Sequence, residues 1–252
     1  PELQTSIKNR VQAVGGTVIF AEDHATAVQE VADADIVFGY ITPEMLAVAR
    51  QLQWIQAPIS SFGYYNFSWG PYYIFPALVS YPATLTSSSG IYNDIIGTHV
   101  FALITAIARN LPVFIRQQQD HLWLRGGHMF SLSKKTIAII GFGGVGKEVA
   151  RLANAFRMTV VAVDPDPRGV PSYVSSLWSP DELHEVLSRA DFVVLCLPDA
   201  PGTLRLIGES ELRAMKSTAY LINIGRGNTV DLQALTQALT EKWIAGAGLD
   251  VF

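Results

Sequence analysis

Short apolar runs alternate with segments of helical period along the first third of the chain. The runs favour strands buried in a sheet, and the segments between them place apolar residues three or four positions apart, as in amphipathic helices. Strands that alternate with helices in this way are typical of a parallel sheet covered by helices. The predicted elements are helices at 1–14, 25–32 and 43–51 and strands at 17–21, 36–40 and 52–57.

The same alternation restarts in the second half, after an apolar helix within 87–112 and a polar helix that extends to about Trp123. Two such series need two sheets. We therefore expect an α/β fold with two Rossmann-like parallel-sheet domains, at residues 1–96 and 97–252. The strands predicted for the second sheet lie at 135–141, 158–164, 191–198, 219–225 and 245–252.

Composition narrows the class of protein. The chain has 252 residues, of which 49% are hydrophobic and 16% charged, and its net charge is −4. These values are typical of a globular protein, with no basic field for nucleic acid and no basic run for a membrane surface. The single cysteine, Cys196, excludes a disulfide framework and favours a reducing compartment. We expect a cytoplasmic protein that has neither nucleic acid nor membrane as a partner.

The segment IAIIGFGGVGKEVA, residues 137–150, carries the most informative motif. Gly141-x-Gly143-x-x-Gly146 follows a predicted strand and opens a helix. The first glycine allows a tight turn, the second lets backbone N–H groups approach a pyrophosphate, and the third lets helix and strand pack closely. The dinucleotide contacts predicted in this turn are Gly141, Phe142, Gly143, Gly144, Val145 and Gly146.

Asp164 ends the next predicted strand, 18 residues after Gly146. A carboxylate there accepts hydrogen bonds from the ribose hydroxyls of NAD and repels the 2′-phosphate of NADP. The competing interpretation is a turn aspartate, because Pro165 and Pro167 follow. Arg168 could offset the negative charge, so use of NADP stays open. We predict NAD as the cofactor, with NADP as the less favoured alternative.

Several separate segments resemble the D-isomer-specific 2-hydroxyacid dehydrogenase family, in the family's order and spacing. They include LQWIQAP, IIGFGGVGKEVA, LCLPDAPGTLRLIG, MKSTAYLINIGRGNTVDLQAL and IAGAGLDVF, and the similarity covers most of the chain. The resemblance implies a flavodoxin-like substrate domain at 1–96, an NAD-binding Rossmann domain at 97–252 and an active site between them. It also implies hydride exchange between a nicotinamide and a 2-oxo or 2-hydroxy acid, as in glyoxylate and hydroxypyruvate reductases.

The resemblance further implies roles for single residues. Arg226, in the motif NIGRG, matches the catalytic arginine that binds the substrate carboxylate and polarises its carbonyl group. The flanking glycines would leave room for nicotinamide and substrate beside this cation. Asp250 matches an aspartate near the nicotinamide carboxamide. The other residues that match cofactor contacts are Leu197, Pro198, Ile224 and Gly225.

A loop at 58–76, crowded with aromatic residues, contains the predicted substrate loop. Relatives hold the substrate carboxylate there with backbone N–H groups of a Ser-x-Gly segment. The downstream FPALVSYP favours a match at 68–70, whereas closeness to WIQAP favours 61–63; we choose Trp69 and Gly70. The whole loop could be an aromatic lid or a packed surface insertion.

The family's glutamate and histidine should lie beyond Asp250, and the chain ends at Phe252. None of the five histidines matches, and His99 on the apolar helix is expected to be a packing or surface residue. We therefore expect a fragment, cut at both ends and without the closing C-terminal segment of the second domain. Such a fragment should bind a dinucleotide without turning over substrate.

Three alternatives stay open: an inactive truncated dinucleotide-binding protein, an NAD-sensing corepressor-like protein, and a formate dehydrogenase. The expected partner is a small 2-oxo or 2-hydroxy acid. Residues 51–108 contain no Lys or Arg, which disfavours a phosphorylated substrate. The apolar helix at 97–110 should not face water, and this predicts a homodimer. No metal site is predicted.

Overall fold

The chain divides into two compact units, Pro1–Ser88 and Ser89–Phe252. The computed structural model describes residues 2–59, 63–64, 73–166 and 169–252. The predicted domain boundary, between residues 96 and 97, falls inside the helix Asn93–Ala108. The whole of that helix belongs to the second unit, so the division between the units lies nearer the N-terminus than predicted.

The described part of the first unit contains a small parallel sheet. Strands β1, β2 and β5 form it in the order β1-β2-β5, and β3 and β4 form a separate parallel pair. The elements are α1 (Glu2–Gln12), α2 (His24–Glu30), β1 (Ile36–Phe38), α3 (Pro43–Val48), β2 (Trp54–Ala57), β3 (Gly63–Tyr64), β4 (Tyr73–Ile74), α4 (Pro76–Ser80) and β5 (Thr84–Ser87). The core consists of the buried side chains Val31, Ile41, Met45, Leu46, Leu52, Ile55, Phe75 and Leu78.

The predicted strand at 17–21 is wrong. This segment is irregular, and Ile19 is 60% exposed. No strand pairs with it among the described residues. An apolar run forms a strand when it finds a ladder partner and a face to bury, and among the described residues this run lacks a ladder partner and is largely exposed.

The described residues of the second unit form a six-stranded parallel sheet in the order β11-β10-β9-β6-β7-β8. The first strand, β6, lies at the centre, and the chain fills one side of the sheet and then the other, which is the Rossmann arrangement. The elements are α5 (Asn93–Ala108), α6 (Leu111–Gln119), β6 (Thr136–Ile140), α7 (Gly144–Ala155), β7 (Thr159–Val163), β8 (Val174–Trp178), α8 (Leu183–Arg189), β9 (Phe192–Leu195), α9 (Glu209–Ala214), β10 (Tyr220–Asn223), α10 (Leu232–Thr240) and β11 (Gly246–Leu249). The predicted α/β fold class with parallel sheets is confirmed.

Helix α5 is apolar nearly all round because it packs within its own unit. Val100, Phe101 and Ile104 are buried, and a Cβ on Gly97 would lie 2.7 Å from Cγ of Glu148 on α7. The helix ends where Asn110 adopts φ +56°, and Pro112 lies in the first turn of α6. In the described part of the chain no single helix is long and apolar enough to cross a membrane; α5 and α6 meet that criterion only as a pair bent by 69°.

Candidate functional site

The turn between β6 and α7 leaves its backbone open on one side. Gly141 has φ +94°, and a Cβ on it would lie 2.7 Å from the carbonyl oxygen of Cys196. A Cβ on Gly146 would lie 2.3 Å from the carbonyl oxygen of Gly141, so helix and strand touch there. Gly143, in contrast, is exposed, and a Cβ on it would meet nothing within 4 Å. The open side can therefore admit a pyrophosphate, which the N-terminus of α7 attracts.

The other predicted residues of this turn play different parts. Phe142 is buried in the core of the second unit, so only its backbone is available to a ligand. Val145 is half-buried and packs against the same core. Gly144 is exposed, yet a Cβ on it would lie 2.5 Å from Nδ2 of Asn93. Asn93, at the start of α5, is a neighbour of the turn that the sequence did not identify.

Asp164 follows β7 and binds the glycine turn directly. Its Oδ2 accepts a hydrogen bond from the Phe142 N–H at 2.7 Å, and its Oδ1 accepts one from the Asp166 N–H at 2.8 Å. The carboxylate is half-buried and retains lone pairs for further donors. The two predicted parts of the dinucleotide site therefore lie together at the carboxyl edge of the sheet.

A cation that the sequence reasoning missed lies near the loop that follows this aspartate. Nζ of Lys147 lies 3.1 Å from the position that a Cβ on Gly169 would take. Gly169 belongs to the loop after Asp164, and Arg168 lies outside the described residues. The available signal was the position of Lys147 directly after the third glycine of the motif.

The ends of β9 and β10 approach each other closely. A Cβ on Gly225, which follows β10, would lie 2.7 Å from the carbonyl oxygen of Leu197, which follows β9. Leu197 and Ile224 are half-buried, and Pro198 is exposed. Because β9 lies between β6 and β10, the predicted contacts after all three strands lie along one edge of the sheet.

Arg226 projects from a turn whose backbone is held by a buried side chain. Asn223, only 1% exposed, donates from Nδ2 to the Arg226 carbonyl oxygen at 2.9 Å and accepts from the Gly225 N–H at 3.1 Å. Arg226 itself is exposed, and its Nη1 donates to the Gly225 carbonyl oxygen at 2.8 Å. The turn thus fixes the base of a guanidinium group, most of whose donors are free for an anion as far as the described residues are concerned. Asn223 was missed because it reads as the polar end of a strand.

Asp250 lies beside this turn and is paired with a histidine. Its N–H donates to the Asn223 carbonyl oxygen at 3.0 Å, and its Oδ1 lies 3.2 Å from Nε2 of His99. The two side chains are 48% and 47% exposed, so both are accessible to a ligand. His99 was expected on the helix surface; it does lie there, but in an ion-pair position with a predicted cofactor contact.

Three further groups of residues bear on the chemistry around the site. Trp69 and Gly70 lie outside the described residues. Burial raises the pKa of the Cys196 thiol to about 12, so this residue is not a nucleophile at neutral pH. In the described part of the chain no three His, Cys, Asp or Glu side chains are grouped to hold a metal ion. The glycine cradle, Asp164 and Arg226 instead suit a dinucleotide and an anionic substrate.

Comparisons with known proteins agree with this chemistry. The sequence model for the NAD-binding domain of D-isomer-specific 2-hydroxyacid dehydrogenases matches residues 101–252. The glyoxylate reductase of Pyrococcus furiosus is 37% identical over 177 residues, and that of Thermococcus gammatolerans is 39% identical over 177 residues. Each match covers 67% of this chain and 52% of the relative. The chain spans about half the length of the curated relatives it matches.

Solved structures are similar over most of the chain. An acyclic imino acid reductase in complex with NADPH and D-Arg is 26% identical, with a TM-score of 0.81 over 97% of this chain and 78% of that one. The D-lactate dehydrogenase of Aquifex aeolicus, with NAD and lactic acid, is 25% identical, with a TM-score of 0.69 over 89% of this chain and 66% of that one. The matched range includes the glycine turn, Asp164, Arg226 and Asp250. The chain belongs to the D-isomer-specific 2-hydroxyacid dehydrogenase family.

Proposed function

We propose that the protein carrying this chain is a nicotinamide-dependent oxidoreductase that interconverts a small 2-oxo acid and the corresponding 2-hydroxy acid. The observation that supports this most is the exposed guanidinium of Arg226 on a turn held by Asn223. A planar fork of donors suits a carboxylate. The turn adjoins the glycine cradle along one sheet edge, where a nicotinamide and a substrate can meet.

In this proposal each residue has a defined task. Arg226 binds the substrate carboxylate and stabilises the negative charge that grows on the carbonyl oxygen during reduction. The N-terminus of α7 binds the pyrophosphate, Asp164 the adenosine ribose and Asp250 the nicotinamide carboxamide. A bound NADH supplies the hydride.

NAD is the proposed cofactor because the carboxylate of Asp164 would lie against a 2′-phosphate. Lys147 lies near the same loop and would partly offset that repulsion. We therefore expect NADH to bind more tightly than NADPH in fluorescence titrations of the chain. Lys147→Ala should weaken NADPH binding more than NADH binding. Equal or tighter binding of NADPH by the unmodified chain would contradict this preference.

Glyoxylate and hydroxypyruvate are the proposed substrates. The curated relatives described above are glyoxylate reductases, and residues 51–108 supply no Lys or Arg for a phosphate. A 2-imino acid is a second candidate, supported by the similarity to an acyclic imino acid reductase. The carboxylate of an imino acid would bind the Arg226 guanidinium in the same way, because this contact does not involve the group that is reduced.

A substrate panel with NADH tests the activity, on protein expressed from the complete gene. We expect oxidation of NADH with glyoxylate or hydroxypyruvate, and no oxidation by the Arg226→Ala variant. Arg226→Lys should retain little activity, because an ammonium cannot replace the bidentate fork. NADH oxidation only with a 2-oxo acid and an amine together would favour the imino acid. Binding of NADH with no reduction of any acid would refute the dehydrogenase proposal and favour a cofactor-binding protein.

We further propose that the protein is a cytoplasmic homodimer. The cytoplasm, a reducing compartment, is supported by the single cysteine, Cys196, which is free. The dimer is supported by apolar side chains left exposed on α6 and the segment after it: Leu111, Ile115, Leu122, Trp123, Leu124 and Met129. Trp123 is 92% exposed, and such a patch is typical of an interface. Sedimentation should give twice the 27.5 kDa chain mass, and Trp123→Glu should shift the equilibrium to monomer; a monomer without substitution would contradict the proposal.

A further inference from the structure

A buried carboxylate lies next to the catalytic turn and has no task in the proposed reaction. Asp199, in the segment LPDAPGT after β9, is 7% exposed. A buried carboxylate is costly unless hydrogen bonds compensate for its lost hydration. Nδ2 of Asn228 donates such a bond to Oδ1 of Asp199 at 3.0 Å. Asn228 stands two residues after Arg226.

The segment that contains Asn228 is bound along its length. The Asn228 carbonyl oxygen accepts from the Arg205 N–H at 2.8 Å, and that of Thr229 accepts from the Ile207 N–H at 3.0 Å. In the loop that contains Asp199, the turn after Pro198 is stabilised by Thr203, whose Oγ1 accepts a hydrogen bond from the Ala200 N–H at 3.1 Å. The hydrogen bond between Asp199 and Asn228 therefore joins two ordered loops.

The backbone of Arg226 is held from both sides along the chain. Its carbonyl oxygen accepts from Nδ2 of Asn223 at 2.9 Å and from the Thr229 N–H at 3.2 Å. Asn223 anchors the turn to the end of β10. The hydrogen bond between Asn228 and Asp199 anchors the residues that follow Arg226. Because the Arg226 side chain is exposed, the direction of its guanidinium depends on this backbone being fixed.

We propose that Asp199 is a positioning residue for Arg226 and acts through Asn228. The proposal rests on the proposed function, in which Arg226 binds the carboxylate of the substrate. Breaking the hydrogen bond between Asn228 and Asp199 frees the residues after Arg226. The guanidinium is then no longer held in the single orientation that binds the substrate carboxylate. Binding of the pyrophosphate and the adenosine ribose by the glycine turn and Asp164, which follow β6 and β7, should be unaffected.

The test compares Asp199→Ala, Asn228→Ala, the double variant and Asp199→Asn. Loss of a hydrogen bond to a buried carboxylate corresponds to about a tenfold effect or more, so each single alanine variant should raise KM for glyoxylate about tenfold. The double variant should be no worse than the more severe single variant, since both remove one interaction. Asp199→Asn keeps an oxygen acceptor and should restore the KM. The Kd for NADH should stay within about twofold throughout.

Hydrogen exchange gives a second measurement that needs no activity. Amide exchange at residues 225–230 should accelerate in both single alanine variants and return to normal in Asp199→Asn. Asp191→Ala is the matched control, because Asp191 accepts from the Thr136 N–H at 2.8 Å at the opposite end of β9. It should lower the melting temperature without selective acceleration at 225–230.

The outcomes separate this inference from the proposed function. Unchanged exchange and unchanged KM in Asp199→Ala, or additive effects in the double variant, would overturn the positioning role while leaving the dehydrogenase intact. An absence of reductase activity in the unsubstituted protein would overturn the proposed function. Exchange at 225–230 would still decide whether Asp199 fixes the turn.

Discussion

Two glycines of the phosphate-binding motif, Gly143 and Gly146, are required for different reasons, and each reason has its own consequence. Gly146 is required by the fold, because a Cβ would lie 2.3 Å from the Gly141 carbonyl oxygen. Gly143 leaves open space around it and has φ −72°, so the protein itself tolerates a side chain there. In the proposed function, Gly143 leaves room for the pyrophosphate.

Alanine at these two positions should therefore separate stability from binding. Gly143→Ala should leave the unfolding free energy within about 0.5 kcal/mol and strongly weaken NADH binding, since the methyl group occupies the space of the pyrophosphate. Gly146→Ala should destabilise the second unit by about 1–3 kcal/mol through overpacking. Chemical denaturation and NADH titration of both variants measure these effects. Normal NADH affinity in Gly143→Ala would show that the cofactor does not approach this backbone.

The thiol of Cys196 should make the stability of the folded protein depend on pH. Burial raises its thiol pKa from 9.0 to about 12, so the folded protein keeps the thiol neutral where the unfolded chain ionises it. Above pH 9 the unfolded state loses this proton first, and stability therefore falls as pH rises from about 9 to 12. At pH 8, alkylation by iodoacetamide should be slower in the folded protein by on the order of a hundredfold or more. Equal rates with and without guanidinium chloride would contradict the burial.

Single residues were identified from sequence where a motif specifies them, and missed where only the fold brings them together. The glycine turn and Asp164 follow one another in a recognisable pattern, although the hydrogen bond from the Phe142 N–H to the Asp164 carboxylate was not predicted. Asn223, Lys147 and Asp199 have no such pattern. Their positions depend on which strands are neighbours in the sheet and on how closely the loops after β9 and β10 approach.

Among the elements, strand β8 shows how a weak pattern is overridden by its surroundings. The segment VSSLW carries two serines and no clear alternation, so no strand was predicted there. It pairs with β7 at the edge of the sheet, with an irregular register between Val160 and Val161. The opposite error at 17–21 has the same cause, because a ladder partner decides whether an apolar run becomes a strand.

Helix α10 begins with a residue whose contribution can be measured. Oδ1 of Asp231 accepts from the N–H groups of Gln233 and Ala234 at 3.0 and 3.1 Å, which satisfies two donors of the first turn. Asp231→Ala should cost about 1 kcal/mol and lower the melting temperature by about 2–4 °C for a domain of this size. Asp231→Asn should recover most of the loss. A melting temperature unchanged by the alanine variant would mean that packing alone holds this helix.

For the whole molecule, the order of motifs predicted two α/β units, but the sequence did not locate the division between them. The apolar helix α5 was taken as a sign of an interface, and one face of it, with Val100, Phe101 and Ile104, packs within the second unit. Among the described residues, α6 and the segment after it also expose large apolar side chains. A buried helix and an interfacial helix have the same composition, and only the contacts distinguish them.

Binding of NADH should stabilise the second unit against unfolding. A ligand that binds only the folded state stabilises it by about 2.7 kcal/mol at 100 times its Kd. Amides of β6, β9 and β10 that exchange only through unfolding of the unit should therefore slow by about a hundredfold at that NADH concentration. The effect should grow in proportion to NADH and disappear in Gly143→Ala, whose fold is intact. If the slowing of amide exchange reaches a plateau far below this hundredfold factor, NADH binds away from the glycine turn. The same conclusion follows if the slowing persists in Gly143→Ala.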